Sequence, residues 1–196
     1  MLAALAKPVG RTSVALDGRS AENRTQETNL GNLVADSFRR VAVSDVALVN
    51  GGSIRVDEII RPGRLTERDV LSVLPFKNKL IKIEVTGALL REALEHGVSR
   101  VANNAEPGGF PQVSGIQFSY DASRRPGDRI VDLKVKGEPE SIRWQLLRSL
   151  LSMAVTVTLC SKERQYLRRP KKCRLILTRC GVLLSVDRLR QRLKVA

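Results

Sequence analysis

The chain has 196 residues, 42% of them hydrophobic and 4% aromatic, enough for one well-cored domain or a domain with an appendage. No apolar run approaches the roughly 18 residues that a spanning helix needs, and the opening stretch lacks a basic n-region and stops being apolar at Lys7, so neither a membrane span nor a secretory signal is expected. The formal net charge of +14 is unevenly spread, with 20 Lys and Arg against 17 Asp and Glu in residues 1–139 but 14 against 3 in residues 140–196, so the basicity says nothing of what the first part binds.

In chain order, Val9 to Leu16 reads as a strand closed by the Asp17-Gly18 turn. Asn29 can cap a helix running to about Val43, with Leu30, Leu33, Val34 and Phe38 recurring at helical spacing on one face. Asp45 to Asn50 is a short buried strand that runs into Asn50-Gly51-Gly52-Ser53, where glycine permits close backbone approach to a ligand or unusual dihedrals. Thr66 and Asp69 form a capping pair for a short helix that Pro75 closes. Lys79 to Val85 alternates like a half-buried strand, and Thr86 caps a helix that turns Leu89, Leu90, Ala93 and Leu94 toward a core and ends near His96-Gly97. His96 is read as a helix-end cap or dipole partner, without a functional role. Gln112 to Tyr120 and Ile130 to Val135 are two further strands, joined through a turn at Arg124-Arg125-Pro126-Gly127-Asp128. Interleaved strands and helices predict an α+β fold of mixed α/β layers.

The same residues spell a pattern. Glu27-Thr28-Asn29-Leu30-Gly31-Asn32-Leu33 with Ala35-Asp36, then Asn50-Gly51-Gly52-Ser53-Ile54-Arg55, Gly63-Arg64-Leu65-Thr66 and Leu74-Pro75-Phe76-Lys77-Asn78 follow one another in order. Thr86-Gly87, Leu94-Glu95, Phe110-Pro111-Gln112-Val113-Ser114-Gly115, Tyr120-Asp121 and Gly127-Asp128-Arg129-Ile130 continue it. In this register residues 9–139 resemble the C-terminal, nucleotide-recognising domain of the 5'-nucleotidase family, which includes ecto-5'-nucleotidases and periplasmic UDP-sugar hydrolases. Residues 1–8 then correspond to the end of an interdomain linker. The family's location is usually periplasmic or extracellular.

The resemblance implies roles residue by residue. Arg24 and Arg55 match arginines that contact phosphate or ribose, Asn50 an asparagine near the base, Phe76 one of two aromatics that sandwich the base, and Asn78 a base-contacting position. Such roles suit the side chains, because guanidinium forks onto phosphate while an aromatic face stacks any base. Each has a plainer alternative: Arg24 as a solvated surface arginine, Phe76 as a core residue closing its helix, Asn50-Gly51-Gly52 as a turn and Arg55 as its ion-pair partner.

Hydrolysis in this family belongs to an N-terminal domain that holds two divalent metals. A single histidine, with no Asp-x-His, Gly-Asn-His or Gly-His-x-His sequence, cannot supply that ligand set, so no cofactor is expected in this chain and hydrolytic activity of the chain alone is not expected. The expected partners are a nucleotide or nucleoside and a separately encoded metallophosphoesterase domain.

After Lys136-Gly137-Glu138-Pro139 the family pattern continues with Y-x-V-A-T and N-G-G-D-G-Y, which bring the second base-stacking aromatic and an acidic ribose partner. Neither is written here. A shift of one base restores both: the Trp144-Gln145 junction then encodes Ala and the Met153-Ala154 junction Gly without codon freedom, and Ser141–Leu146 and Ser152–Thr158 accommodate the two motifs. Residues 140–196 are therefore read as an atypical basic tail, out of frame from about Glu140. Its Cys160, Cys173 and Cys180 lack compact zinc spacing. The alternative is a nucleic-acid-binding protein that uses Arg164, Arg168, Arg169, Lys171, Lys172 and Arg174 as a phosphate-binding patch, a reading disfavoured by the shortage of aromatic platforms.

Overall fold

A computed structural model describes residues 6–76, 78–101, 107–135, 138–139 and 151–157. Its elements in chain order are β1 (Pro8–Thr12), β2 (Leu16–Asp17), α1 (Ser20–Asn23), α2 (Asn29–Ala42), β3 (Val46–Asn50), a 3-10 turn (Gly51–Ser53), β4 (Ile59–Ile60), β5 (Gly63–Thr66), α3 (Glu67–Val73), β6 (Lys79–Val85), α4 (Gly87–Val98), β7 (Pro111–Ser114), β8 (Ile116–Tyr120), β9 (Ile130–Val135), β10 (Glu138–Pro139) and β11 (Leu151–Val157).

Strand β3 organises the main sheet because Val46-Ala47-Leu48-Val49 offers no polar face to water, and such a run is stable only when covered on both sides. It lies inside a four-stranded sheet of order β6-β11-β3-β7. Val46 and Leu48 join a cluster with Leu90, Leu94 and Val98 of α4, Ile116 of β8 and Leu133 of β9. Val49 joins the opposite cluster with Leu30, Val34 and Ala35 of α2, Ile54 and Val73. Each fully buried Leu or Val contributes about 1.5–3 kcal/mol, so these two apolar layers hold the domain together.

The cap of helix α2 lies one residue before the expected one. Thr28 accepts from Gly31 N, while Asn29 turns outward to accept from Asp17 N and donate to Ala15 O. Leu33, expected on the inner face, is 44% exposed, since the contact stripe follows Leu30, Val34 and Ala35. Helix α3 carries the capping box that its Thr66/Asp69 pair predicts, and Thr86 caps α4 through Leu89 N.

Two expected strands are each divided. Val9–Leu16 is broken after Thr12, whose hydroxyl turns back to Val14 O; β1 then pairs with β5, and β2 with β4. Gln112–Tyr120 is divided at Gly115, which adopts φ +74°, and a Cβ there would lie 2.5 Å from Asp45 O. That kink passes the chain from the main sheet, as β7, to the antiparallel β10-β9-β8 sheet.

The sheet also extends past the boundary expected at Pro139. Strand β11 runs parallel to β3 and antiparallel to β6, and Met153 is 2% exposed in the core beneath α4. An apolar strand fills the central gap that β3 and β6 would otherwise leave with unpaired backbone groups. The tail's cysteines, Trp144, the basic run from Arg164 and the Ser141–Leu146 frame reading lie outside the described residues. Among the described residues no helix is long and apolar enough to cross a membrane.

Limited trypsin digestion should leave a core that retains Leu151–Val157, as identified by mass spectrometry. A stable core that ends near Pro139 without this strand would return the domain boundary to the position read from the sequence.

Candidate functional site

Backbone register decides which loops meet. Strand β11 sets Val155 beside Leu48 of β3 and Val157 beside Lys79 of β6, while Asn50 faces Pro111 of β7. The end of β3, the entry to β6 and the entry to β7 therefore lie along one edge of the sheet. Asn50, Phe76, Asn78 and Phe110 are at or next to these three strand ends.

The glycines of Asn50-Gly51-Gly52 serve close approach, but between segments of the protein's own backbone. Gly51 N donates to Phe110 O at 2.7 Å and Gly52 N to Gly108 O at 3.0 Å. A Cβ on Gly51 would lie 1.9 Å from Asn23 O, and one on Gly52 would lie 2.7 Å from Gly108 Cα. The Asn23 carbonyl thus packs directly against Gly51, and the neighbours of this contact along the chain are Arg24 and Asn50.

Arg24 caps the short helix α1, its N–H bonding to Ser20 O, and is half-buried. Arg55 follows the buried Ile54, and its backbone N–H donates to Val73 O at the end of α3. That bond joins Arg55 to the segment that leads through Leu74-Pro75 to Phe76. The Arg55 guanidinium carbon stands 5.9 Å from the centroid of the Phe76 ring, a cation–π pair worth about 0.5–1 kcal/mol at an exposed position. Phe76 is 50% exposed, outside both core clusters.

Asp57, to which the sequence reading gave no role, links the two arginine segments. Its carboxylate accepts from Ser20 N, the first residue of α1, at 2.7 Å. Its φ of +51° is a left-handed conformation that Asp tolerates better than most side chains. The Ser20 backbone N–H, then the Ser20 side chain, hold the Asp57 carboxyl below the usual carboxylate range, and the charges of Arg24 and Arg55 add to this. Both guanidinium groups thus act on the same carboxylate.

Of the five residues, the structure brings Arg55 and Phe76 into direct contact, while Asn50 lies at the end of β3 and Arg24 follows the Asn23 that packs on Gly51. Asn78 is half-buried immediately before β6, and among the described residues no hydrogen bond or ring contact joins it to the other four. Gln112 and Tyr120 were also without assigned roles, although both lie in motif positions. Gln112 is 1% exposed and bonds to Asn23 O, Gln26 O and Thr28 N, and the Tyr120 hydroxyl donates to Thr25 O. A buried amide in a strand that is otherwise covered in the core was the available signal.

Chemically, this is a one-sided platform: an exposed aromatic face, two cations and an asparagine that offers both donor and acceptor. Among the described residues no group of three or more His, Cys, Asp or Glu side chains is placed to hold a metal ion.

A layered α+β domain with an aromatic–arginine platform at one sheet edge is the class that fold and geometry define. The profile of the 5'-nucleotidase C-terminal domain matches residues 8–142, and the chain belongs to that family. Over 132 residues it is 42% identical to the trifunctional nucleotide phosphoesterase protein YfkN of Bacillus subtilis, covering 65% of this chain and 9% of that protein. It is 37% identical over 139 residues to human 5'-nucleotidase, covering 65% of this chain and 24% of the relative. The crystal structure of a 5'-nucleotidase precursor from Thermus thermophilus superposes with a TM-score of 0.69 at 36% identity, over 79% of this chain and 30% of that one. The chain thus spans less than a third of each of these three relatives.

Asp57 has a lowered folded-state pKa, so its contribution to stability is present above the ordinary Asp value and is lost as pH falls through the folded value. Asp57→Asn keeps an acceptor for Ser20 N and tolerates the left-handed backbone. It should lower the urea midpoint at pH 7 while leaving it near wild type at pH 2.5. Equal destabilisation at both pH values would remove the charge from the explanation.

Proposed function

We propose that residues 9–139, completed by the sheet they build, are the substrate-recognition domain of a 5'-nucleotidase-like hydrolase acting in nucleotide catabolism. The observation that carries this reading is the exposed Phe76 ring with the Arg55 guanidinium against it. The base stacks on Phe76, Asn50 and Asn78 read its edge, and the two arginines take the phosphate or ribose. Family membership and the nucleotide-acting relatives support this assignment.

Stacking contributes on the order of 1–3 kcal/mol per base, and with one aromatic face in place of two the affinity for AMP should be roughly millimolar. Titration of AMP into the full chain, followed by NMR, should shift resonances at Phe76 and Asn78, and Phe76→Ala should abolish those shifts without unfolding the protein. Shifts that persist in the variant would separate the ligand from Phe76. The same sample given Mn²⁺ should release no phosphate, because the sequence has one histidine and, among the described residues, no group of three or more His, Cys, Asp or Glu is placed to hold a metal that would activate water. Saturable turnover that copurifies with the protein would overturn that part of the proposal.

We also read the chain from about Glu140 as continuing out of frame. The family profile ends at residue 142, close to where the Y-x-V-A-T pattern returns one base away. The prediction is that the gene sequence across codons 140–158, determined from genomic DNA, contains one inserted or missing base relative to a frame encoding N-G-G-D-G-Y. An uninterrupted reading of the same codons would refute it.

A further inference from the structure

Three backbone carbonyls flank Arg24 along the chain, those of Asn23, Thr25 and Gln26, and side chains from the β7–β8 segment hold all three. Gln112 Nε2 donates to Asn23 O at 2.9 Å and to Gln26 O at 2.7 Å, and the Tyr120 hydroxyl donates to Thr25 O at 2.7 Å. The other end of the Gln112 amide accepts from Thr28 N at 3.2 Å, so two carbonyls on one side and an N–H on the other fix its orientation.

The surroundings are shaped to admit this latch. Gly31 leaves room for the amide, since a Cβ there would lie 2.1 Å from Gln112 Oε1. On the opposite side Gly51 lets the Asn23 carbonyl approach the Asn50 loop. Asn23 itself is buried, donating to Asp17 O and Arg19 O and accepting from the Thr28 hydroxyl. Residues 24–28 join α1 to α2; the N–H groups of Thr25 and Gln26 turn back to Glu22 O, and the side chains from β7 and β8 hold the carbonyls that these turns leave facing the sheet. The same strand does a second job: Pro111, adjacent to Gln112, pairs with Asn50. Strand β7 therefore sets both the asparagine and the arginine of the platform.

We infer that Gln112 and Tyr120 are positioning residues for Arg24, holding its backbone so that the guanidinium meets the anionic group of a nucleotide on the side of the platform where Arg55 stands. The inference rests on the nucleotide reading above and assigns the phosphate end of that ligand to a latch anchored in β7 and β8. It separates two contributions to recognition. Phe76 stacks the base whether or not a phosphate is present, and the latch matters only when one is.

The experiment uses the full chain and two variants. Tyr120→Phe removes one hydroxyl and keeps the ring that packs near Phe110 and Phe118. Gln112→Met keeps side-chain length and removes all three amide bonds. Backbone ¹⁵N relaxation of Arg24, Thr25 and Gln26 is measured without ligand, and affinities are measured for AMP and for adenosine. Both variants should loosen this segment, and Tyr120→Phe should weaken AMP about fivefold while changing adenosine less than about twofold. If Gln112→Met does not fold, Tyr120→Phe carries the test. A segment as rigid in Tyr120→Phe as in wild type overturns the latch directly. A loosened segment with AMP and adenosine affected alike shows instead that Arg24 does not read the phosphate, and the inference falls through the nucleotide reading it rests on.

Discussion

A strand with no polar face sets the architecture. Because Val46 to Val49 must be covered on both sides, α2 is drawn to one face of the sheet and α4 to the other, and neighbouring strands must satisfy β3 along both of its edges. Once β11 is parallel to β3 and β6 antiparallel to β11, register leaves no freedom in where the connecting segments emerge. Asn50, the Phe76–Asn78 approach and the Gly108–Phe110 turn share an edge as a consequence of apolar burial, before any polar contact is made. The glycines at 51 and 52 then let those segments close on one another.

Polar groups in this interior follow two separate designs. At the end of α4, the buried Glu95 carboxylate accepts from Arg129 N and Ile130 N, and the Arg129 guanidinium donates to Val98 O and Val101 O. That network joins the start of β9 to the end of α4, and a buried group left unmatched there would cost about 1–3 kcal/mol. On the platform side, Gln112, Asn23 and Thr28 bond to one another and to backbone, with Tyr120 reaching in from β8. The Ser114 hydroxyl, further along β7, links Asp36 and Arg39 of α2 to the sheet. Strand β7 is thus apolar enough to pair in the core yet places a polar side chain at every second residue toward α2.

Much of the fold was legible because local chemistry and tertiary structure agree. The capping box at Thr66, the Thr86 cap, the apolar run at β3 and the Arg124–Asp128 turn follow from short-range rules that packing reinforces. The misreadings come where long-range contact decides. Asn29 is a good cap by type, but Asp17 and Ala15, distant in sequence, recruit its side chain and leave capping to Thr28. Gly115 interrupts an alternating pattern that otherwise reads as one strand, because its positive φ turns the chain between two sheets. The motif arginines and Phe76 were recognisable from resemblance alone. Asp57, whose importance depends on a hydrogen bond to a residue 37 positions away, was not.

Strand β11 bears on the platform as much as on the core. It runs in the same direction as β3, and its last described residue, Val157, lies level with Lys79, three positions after Phe76. Adjacent strands are about 4.8 Å apart, so the end of β11 lies between the end of β3 and the start of β6. In the alternative frame, Ser152–Thr158 is the segment that reads N-G-G-D-G-Y, ending in an aromatic. The written sequence keeps the apolar character that pairing and burial require, as Met153 shows, without such a residue at its end. Core formation at β11 needs only strand-forming, apolar chemistry, so this strand carries the sheet without fixing which polar side chains stand at its end.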